Sequence, residues 1–320
     1  MPGLQLRPFA DEHLDDAAPL LAERHRCHRL AEPLLPEAFE DPASARVGLE
    51  GAWRAEGASG SVALRGGRLV GYLIGSRRSG AMWGESAWIE TPGHAAEDAE
   101  TVRDLYGAAA AGWVESGVTR HYALVPATDA ALVGAWFRLG FGQQQGLGIR
   151  EVPAEAGPLP ERVTVRRAGP ADVDTVLQLD ILGDFQAGPP TFAATTPPDP
   201  AELRAEVEEE LADADSPLFV AELDGSPVGL ASAAPVSHSS LHGGLARPEG
   251  AGILGYAAVL PEARGSGAGL ALTEAVYAWC RERRYGTVVV DWRVTNLLSS
   301  RFWPSRGFRT SFLRLYRSIP

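Results

Sequence analysis

Gly252-Ile-Leu-Gly-Tyr-Ala-Ala-Val-Leu260 reads as a buried strand, and Pro261-Glu-Ala-Arg-Gly-Ser-Gly-Ala-Gly269 leads it into the helix Leu270-Ala-Leu-Thr-Glu-Ala-Val-Tyr-Ala-Trp-Cys-Arg-Glu-Arg-Arg284. Gly286 just past the helix is expected to cap it. A helix start leaves four N–H groups without intrahelical partners and carries the positive end of the helix dipole. Glycines there remove side-chain obstruction, so phosphate oxygens can lie directly on the amides. Arg264 stands at the entry with a planar charged fork suited to phosphate. Gly265, Gly267 and Gly269 alone are a weak signal. A dinucleotide fingerprint would lie early in its domain, with an acidic residue about 20 residues on. This loop lies late, although Asp291 on the next strand, Thr287-Val-Val-Val-Asp291, keeps that alternative open. A plain glycine-rich surface loop is the third reading.

The chain has 320 residues, 45% of them apolar and 22% charged, which suggests two ordinary globular domains. Acidic residues number 41 against 29 basic ones, a formal net charge of -12. All the basic residues are arginine, so no Gly-Lys-Ser/Thr phosphate loop exists. The charge argues against a general nucleic-acid binder and favours a cationic or amine-bearing substrate at long range. Two cysteines, Cys27 and Cys280, are too few for a stapled secreted framework. No apolar run approaches the roughly 18 residues of a membrane span, and the opening residues lack a signal-peptide pattern. The expectation is a cytoplasmic protein, monomer or homodimer, with no nucleic-acid or membrane partner.

Pro153-Ala-Glu-Ala-Gly-Pro-Leu-Pro-Glu161 reads as a linker, placing domains at 1–153 and 163–320 with 154–162 between them. The two halves resemble each other. Each opens with a short alternating strand, at Leu4 and at Val163, that runs into an amphipathic helix. Each then has a hairpin, turned at Gly66-Gly67 and at Asp224-Gly225. Arg7 to Gly71 spans 64 positions and Arg166 to Gly229 spans 63. Each half ends on a helix closed by Gly-Phe, at Gly140-Phe141 and Gly307-Phe308, followed by a last strand. This reads as an internal duplication of one α/β domain.

Val259-Leu-Pro-Glu-Ala-Arg-Gly-Ser-Gly-Ala-Gly-Leu270 resembles the acyl-CoA pyrophosphate loop of the GCN5-related N-acetyltransferases, whose Arg-x-x-Gly-x-Gly core falls on Arg264, Gly267 and Gly269. Asn296, Ser299, Phe302, Gly307 and Phe308 are similar to that family's next motif, and the resemblance covers most of 163–319. It implies two tandem acyl-CoA N-acyltransferase-like domains of α/β (α+β) class. Each would be a mixed, mostly antiparallel sheet, flanked by helices and splayed between two central strands. It implies acetyl-CoA as cosubstrate, and direct attack of a primary amine of a small molecule or peptide on the thioester. The site residues implied are Ala258, Val259, Arg264, Gly265, Ser266, Gly267, Ala268, Gly269, Leu270, Asn296, Phe302 and Trp303. Amides from Gly265 to Leu270 would hold the pyrophosphate, Asn296 would help place the pantetheine arm, and the backbone near Ala258 would orient the thioester. The family often has a tyrosine as general acid where Trp303 stands, and an indole delivers no proton at neutral pH. Trp303 is therefore read first as a core aromatic.

The first half shows the same shape in worn form, with Asp129 at the position of Asn296 and Trp136 at that of Trp303. Counting back from Gly117 as from Gly286, Asp98 and Glu100 replace Gly267 and Gly269. Carboxylates repel a pyrophosphate, so this half is expected to have lost the cofactor and to support the fold or the acceptor site.

Candidates to take the proton from the amine are Tyr256, Asp291 and Glu222, with His238 and His242 as alternatives. Phe185 and Phe192 could line a lid, and the acidic helix 201–211 is compatible with a cationic acceptor. His25, Cys27 and His28 do not gather metal-ligand geometry on a helix, so no metal is expected and Arg24–Arg29 reads as exposed basic surface. The alternative to an enzyme is a non-catalytic acyl-CoA-binding regulatory or interaction protein.

Overall fold

Gly66-Gly67 and Asp224-Gly225 all take positive φ, and each pair closes an antiparallel hairpin. They stand at equivalent places in the two units of the computed structural model, which describes residues 3–80, 84–193 and 199–320. The first unit takes Met1–Leu147, Gly243–Arg247 and Thr310–Pro320, and the second takes Gly148–His242 and Pro248–Arg309.

In the first unit, β1 (Leu4–Pro8), β2 (Ser59–Arg65) and β3 (Arg68–Arg78) form an antiparallel run, and α1 (Leu14–Ala31) and α2 (Pro42–Trp53), which lie between β1 and β2 in the chain, pack on β3. The end of β3 pairs with β4 (Ser86–Ile89), and β4 runs parallel to β6 (Arg120–Pro126). β5 (His94–Ala96) leaves that pair and turns back onto β3 at Gly71–Leu73. The crossover helix α3 (Ala99–Glu115) buries Val102, Leu105, Tyr106, Ala109 and Trp113, a three-to-four residue spacing that faces the sheet. Then come α4 (Ala130–Arg138) and β7 (Gly142–Glu151).

The second unit runs β8 (Val163–Arg167), α5 (Val173–Leu179), α6 (Leu182–Ala187), α7 (Pro200–Ala212), β9 (Leu218–Leu223), β10 (Ser226–Pro235), β11 (Ala251–Val259), α8 (Ala268–Glu282), β12 (Thr287–Arg293) and α9 (Ser299–Ser305). Strands β8 to β11 are antiparallel neighbours, β12 lies parallel beside β11, and the part of β7 from Gly148 flanks β12. Both units are thus mixed, largely antiparallel sheets flanked by helices.

The last strand, β13 (Arg309–Ser318), pairs antiparallel with β6, Phe312 opposite Pro126 through Ser318 opposite Arg120. It completes the first unit, whereas a boundary at residue 163 assigns it to the second. Periodicity identifies a strand but not its partner, because any edge strand can accept it. The segment expected as a linker is held along α8: the Gly157 amide donates to Glu274 Oε2 at 3.1 Å, and Arg281 donates to the Pro153 carbonyl at 2.9 Å.

Helix α1 is only in part the basic outer surface expected: Arg26 is exposed, but Arg24 is half-buried and donates to the His94 and Thr91 carbonyls, and His25 and His28 are 1% and 3% exposed. They continue the stripe Leu14, Ala17, Leu21 at helical spacing, so the face buried by the apolar residues carries them inward. Cys27 lies on the outer side, and among the described residues no group of metal-ligand type gathers.

Candidate functional site

The parallel ladder between β11 and β12 runs only from Ala251 opposite Thr287 to Leu254 opposite Val290, although both strands continue further. At the same point Gly255 is an extra residue: Leu254 opposes Ala233 on β10 and Tyr256 opposes Ser232, a β-bulge that bends β11 away. Beyond it β11 stays paired with β10, while its other edge faces a cavity of about 680 Å³. An unpaired strand edge offers alternating N–H and C=O groups to an extended ligand.

Gly255, Ala257, Ala258 and Val259 form one wall of the cavity, and Val290, Asp291 and Trp292 the other. Its end is closed by Arg264, Gly265, Gly267, Ala268, Gly269 and Leu270, and its side by Asn296, Phe302 and Trp303. Gly265 and Gly267 take φ of 80° and 92°, which lets the chain double back into α8. A Cβ on Gly267 would also lie 2.3 Å from Pro160 Cγ, and one on Gly269 would touch the Phe302 ring at 3.5 Å. The first intrahelical bond is that of the Ala271 amide to the Gly267 carbonyl, 3.0 Å, so the Gly269 and Leu270 amides precede the helix's own acceptors.

Eleven of the twelve residues that the resemblance assigns to acyl-CoA therefore border one cavity. Ser266 does not. Its Oγ turns inward and accepts the Ala268 amide at 3.3 Å. Asn296 is 4% exposed, and its Oδ1 accepts the Leu298 and Ser299 amides at 3.1 and 3.2 Å, fixing the loop before α9. Trp303 is a core residue packed edge-on against Phe302 and Phe308, and it borders the cavity as well.

The three acid–base candidates separate. Asp291 lines the cavity. Tyr256 does not: its hydroxyl donates to the Leu179 carbonyl and accepts the Leu182 amide, both at 3.2 Å, tying α5 to α6. Burial, with Asp180 alongside, pushes its phenol well above the ordinary value. Glu222 is outside as well, paired with Arg166 at 2.7 Å on the β8–β9 surface, while Arg166 also holds Asp172. His238 bonds Ser216 and His242 bonds Ser239, away from the cavity. Of the lid candidates, Phe185 borders the site with Arg264 4.9 Å from its ring centroid, and Phe192 is 71% exposed.

Residues not singled out beforehand also line it. Gln186 accepts a bond from Arg293 Nε at 3.0 Å, and Arg301 and Arg306 contribute two further cations. The arginines were visible in the sequence beside Phe302 and Gly307, but a motif pattern of small and aromatic residues draws no attention to charge at intervening positions.

The Acetyltransferase (GNAT) family profile matches residues 185–308. A search of curated proteins gives no match. Among solved structures, a GCN5-related N-acetyltransferase from Sphaerobacter thermophilus is 14% identical with a TM-score of 0.59, over 98% of this chain and 95% of that one. A tandem GNAT protein from the clavulanic acid biosynthesis pathway is 17% identical with a TM-score of 0.51, over 99% of this chain and 98% of that one. The chain has the GNAT fold in tandem form.

Proposed function

We propose that the chain is an acyl-CoA-dependent N-acyltransferase whose second unit transfers acetyl from acetyl-CoA to a primary amine of a small molecule or peptide, in a reducing cytoplasm. The observation that carries this reading is the split of β11 from β12 after Leu254 and Val290, running up to the glycine-lined start of α8. The cavity fits the cosubstrate in three ways. Glycines leave the amides of the loop bare, the free edge of β11 can bond an extended amide-bearing arm, and Asn296 holds the facing loop.

Bound acetyl-CoA supplies an acyl thioester. The amides from Gly265 to Leu270, with Arg264, hold its pyrophosphate, and the backbone at Ala258 and Val259 orients the carbonyl. Asp291 receives the proton of the acceptor ammonium at its carboxylate, directly or through one water. The amine nitrogen then bonds the carbonyl carbon as the carbon–sulfur bond breaks, and the second N–H proton, shed as the nitrogen becomes an amide, passes to solvent. Trp303 cannot protonate the sulfur, and a thiol with an ordinary pKa near 8.5 can leave as thiolate and take its proton from solvent. Tyr256 and Glu222 have structural roles in this scheme.

A panel of small amines and peptides incubated with protein and acetyl-CoA tests it. Amine-dependent thiol release with a matching mass gain on the amine is expected. Tight acetyl-CoA binding with no amine-dependent release across the panel would favour the non-catalytic acyl-CoA binder, a reading to which the buried Trp303 lends its one specific support.

A further inference from the structure

We infer that the roof of the cavity selects the acceptor: a primary amine with one positive charge on an apolar alkyl or aryl body, in preference to diamines, polyamines and basic peptides. The inference rests on the acyltransferase reading above and narrows its substrate class.

The roof is the short helix α6, which crosses the split between β11 and β12. At its start the Leu182 amide donates to the Tyr256 hydroxyl of β11 at 3.2 Å. Four residues and about 6 Å of helix later, Gln186 Oε1 accepts from Arg293 Nε of β12 at 3.0 Å. Between them Phe185 lies against Arg264, its ring centroid 4.9 Å from the guanidinium carbon. The helix is thus tied to both strands and to the phosphate loop, and Ile181, Leu182, Phe185 and Gln186 all line the cavity. Asp180 and Asp184, the carboxylates of this segment, are exposed, and neither borders the cavity.

Strand alternation places the base under this roof. Val288, Val290 and Trp292 join the core cluster that α8 shares, so Asp291 and Arg293 take the opposite face of β12. Tyr256 packs with Val176 and Leu179, so α5 and α6 cover that same face of the sheet. Among the described residues Asp291 is the single carboxylate that lines the cavity, and it gives an ammonium one anionic place to sit. Two positions on, roughly 7 Å along the strand, the same face carries the Arg293 cation. That cation also orients Gln186. Arginine only donates, so the amide oxygen faces it and the amide N–H groups face away. A second ammonium beside the first meets a guanidinium, amide donors or an apolar side chain, each a costly place for a charge.

The acidic groups that could draw a polycation in point elsewhere. In α7, Val207 packs against Val173, Val176 and Leu179 of α5, and no carboxylate of the helix lines the cavity. Glu206, Glu208, Glu209 and Glu210 are exposed, and Glu222 is held by Arg166. The acid-rich helix therefore attracts cations in general without offering a second one a place in the site.

Steady-state kinetics at saturating acetyl-CoA with hexylamine, 1,6-diaminohexane and 2-phenylethylamine test this. The first two differ only in a second amino group at the far end. The wild type is expected to show kcat/KM at least about 30-fold higher for hexylamine and for 2-phenylethylamine than for the diamine, mainly through KM. Leu182→Glu, which sets a carboxylate in the roof, is expected to reverse the order and favour the diamine over hexylamine about 10-fold. Its acetyl-CoA affinity by calorimetry should stay within about 3-fold of wild type. A wild type that prefers the diamine or uses both equally would overturn the inference and leave the acyltransferase reading standing. A preference unchanged in Leu182→Glu, folded by thermal melt, would overturn it as well; Ile181→Glu repeats the test where that variant does not fold. Acetyl-CoA binding without turnover of any of the three amines would overturn the inference, and no acetyl-CoA binding at all would overturn the acyltransferase reading with it.

Discussion

Helix α8 begins at Gly267 with φ of 92° and presents Ala268, Gly269 and Leu270 to a cavity. Helix α3 begins at Asp98, extended at φ of -140°, with a carboxylate oxygen 2.9 Å from the Thr101 amide. The same crossover thus ends in a bare set of donors in one unit and in a built-in anion in the other. Glu100, two residues on in the first turn, is paired with Arg103 and Arg138. The strand split differs in the same sense. After Ile89 and Ala123 the β4–β6 ladder stops, as β11–β12 does, but β5 turns its His94 side chain across to the Leu124 carbonyl of β6 at 3.0 Å. Arg24 from α1 then donates to the His94 and Thr91 carbonyls. The first unit fills with its own side chains the space that the second keeps open. A shared fold therefore places the opening, and side chains at a few positions decide whether anything can enter.

The largest expected effect comes from making α8 begin as α3 does. Gly267→Asp sets a carboxylate at the phosphate cradle, strains a left-handed position and meets Pro160, so acetyl-CoA affinity should fall by at least about 100-fold by calorimetry. Retained affinity would break the comparison. Next, Asp291→Asn should lower kcat about 100-fold, within the range of general base catalysis, while acetyl-CoA affinity stays within about 2-fold. A variant with unchanged kcat would remove Asp291 as the base.

The filled unit should also respond to acid. Burial holds His28 and His94 down at about 3 and His25 at about 4, against a free value of 6.5. These groups are neutral in the fold, and the unfolded chain takes up protons first. The stability they confer is therefore complete above about pH 6.5 and is lost progressively as pH falls toward 4 and 3. Hydrogen exchange between pH 7 and 5 should show α1 losing protection ahead of α8. Equal loss in both helices would contradict this. The smallest effect is expected for Asp98→Ala, which removes the α3 cap: a loss of about 1 kcal/mol in chemical unfolding, with acetyl-CoA affinity unaltered.

Local chemistry made much of this legible. The hairpin turns at Gly66-Gly67 and Asp224-Gly225, the glycine loop and the helix after it each depend on residues adjacent in sequence. The register that set Asp98 against Gly267 assumed equal helices, whereas α3 has 17 residues and α8 has 15. Arg284, not Gly286, takes the left-handed position after α8, with φ of 58°. Gly286 lies two positions beyond Arg284, which offsets the shorter helix, so both positions remain N-caps. What the sequence concealed lies in long-range partnership. Nothing in β13 reveals that β6 receives it. Strand alternation could not tell that Arg166 would hold Glu222 outside, or that backbone at Leu179 and Leu182 would occupy Tyr256. The inward turn of Arg24, His25 and His28 was readable from the three-to-four spacing, but their polarity masked it.

Titration of the intact chain with acetyl-CoA tests the difference between the two helix starts most directly. One site per chain, lost in Gly267→Asp and kept in Asp98→Ala, is the predicted result. Two sites per chain, or a single site that survives Gly267→Asp, would contradict it.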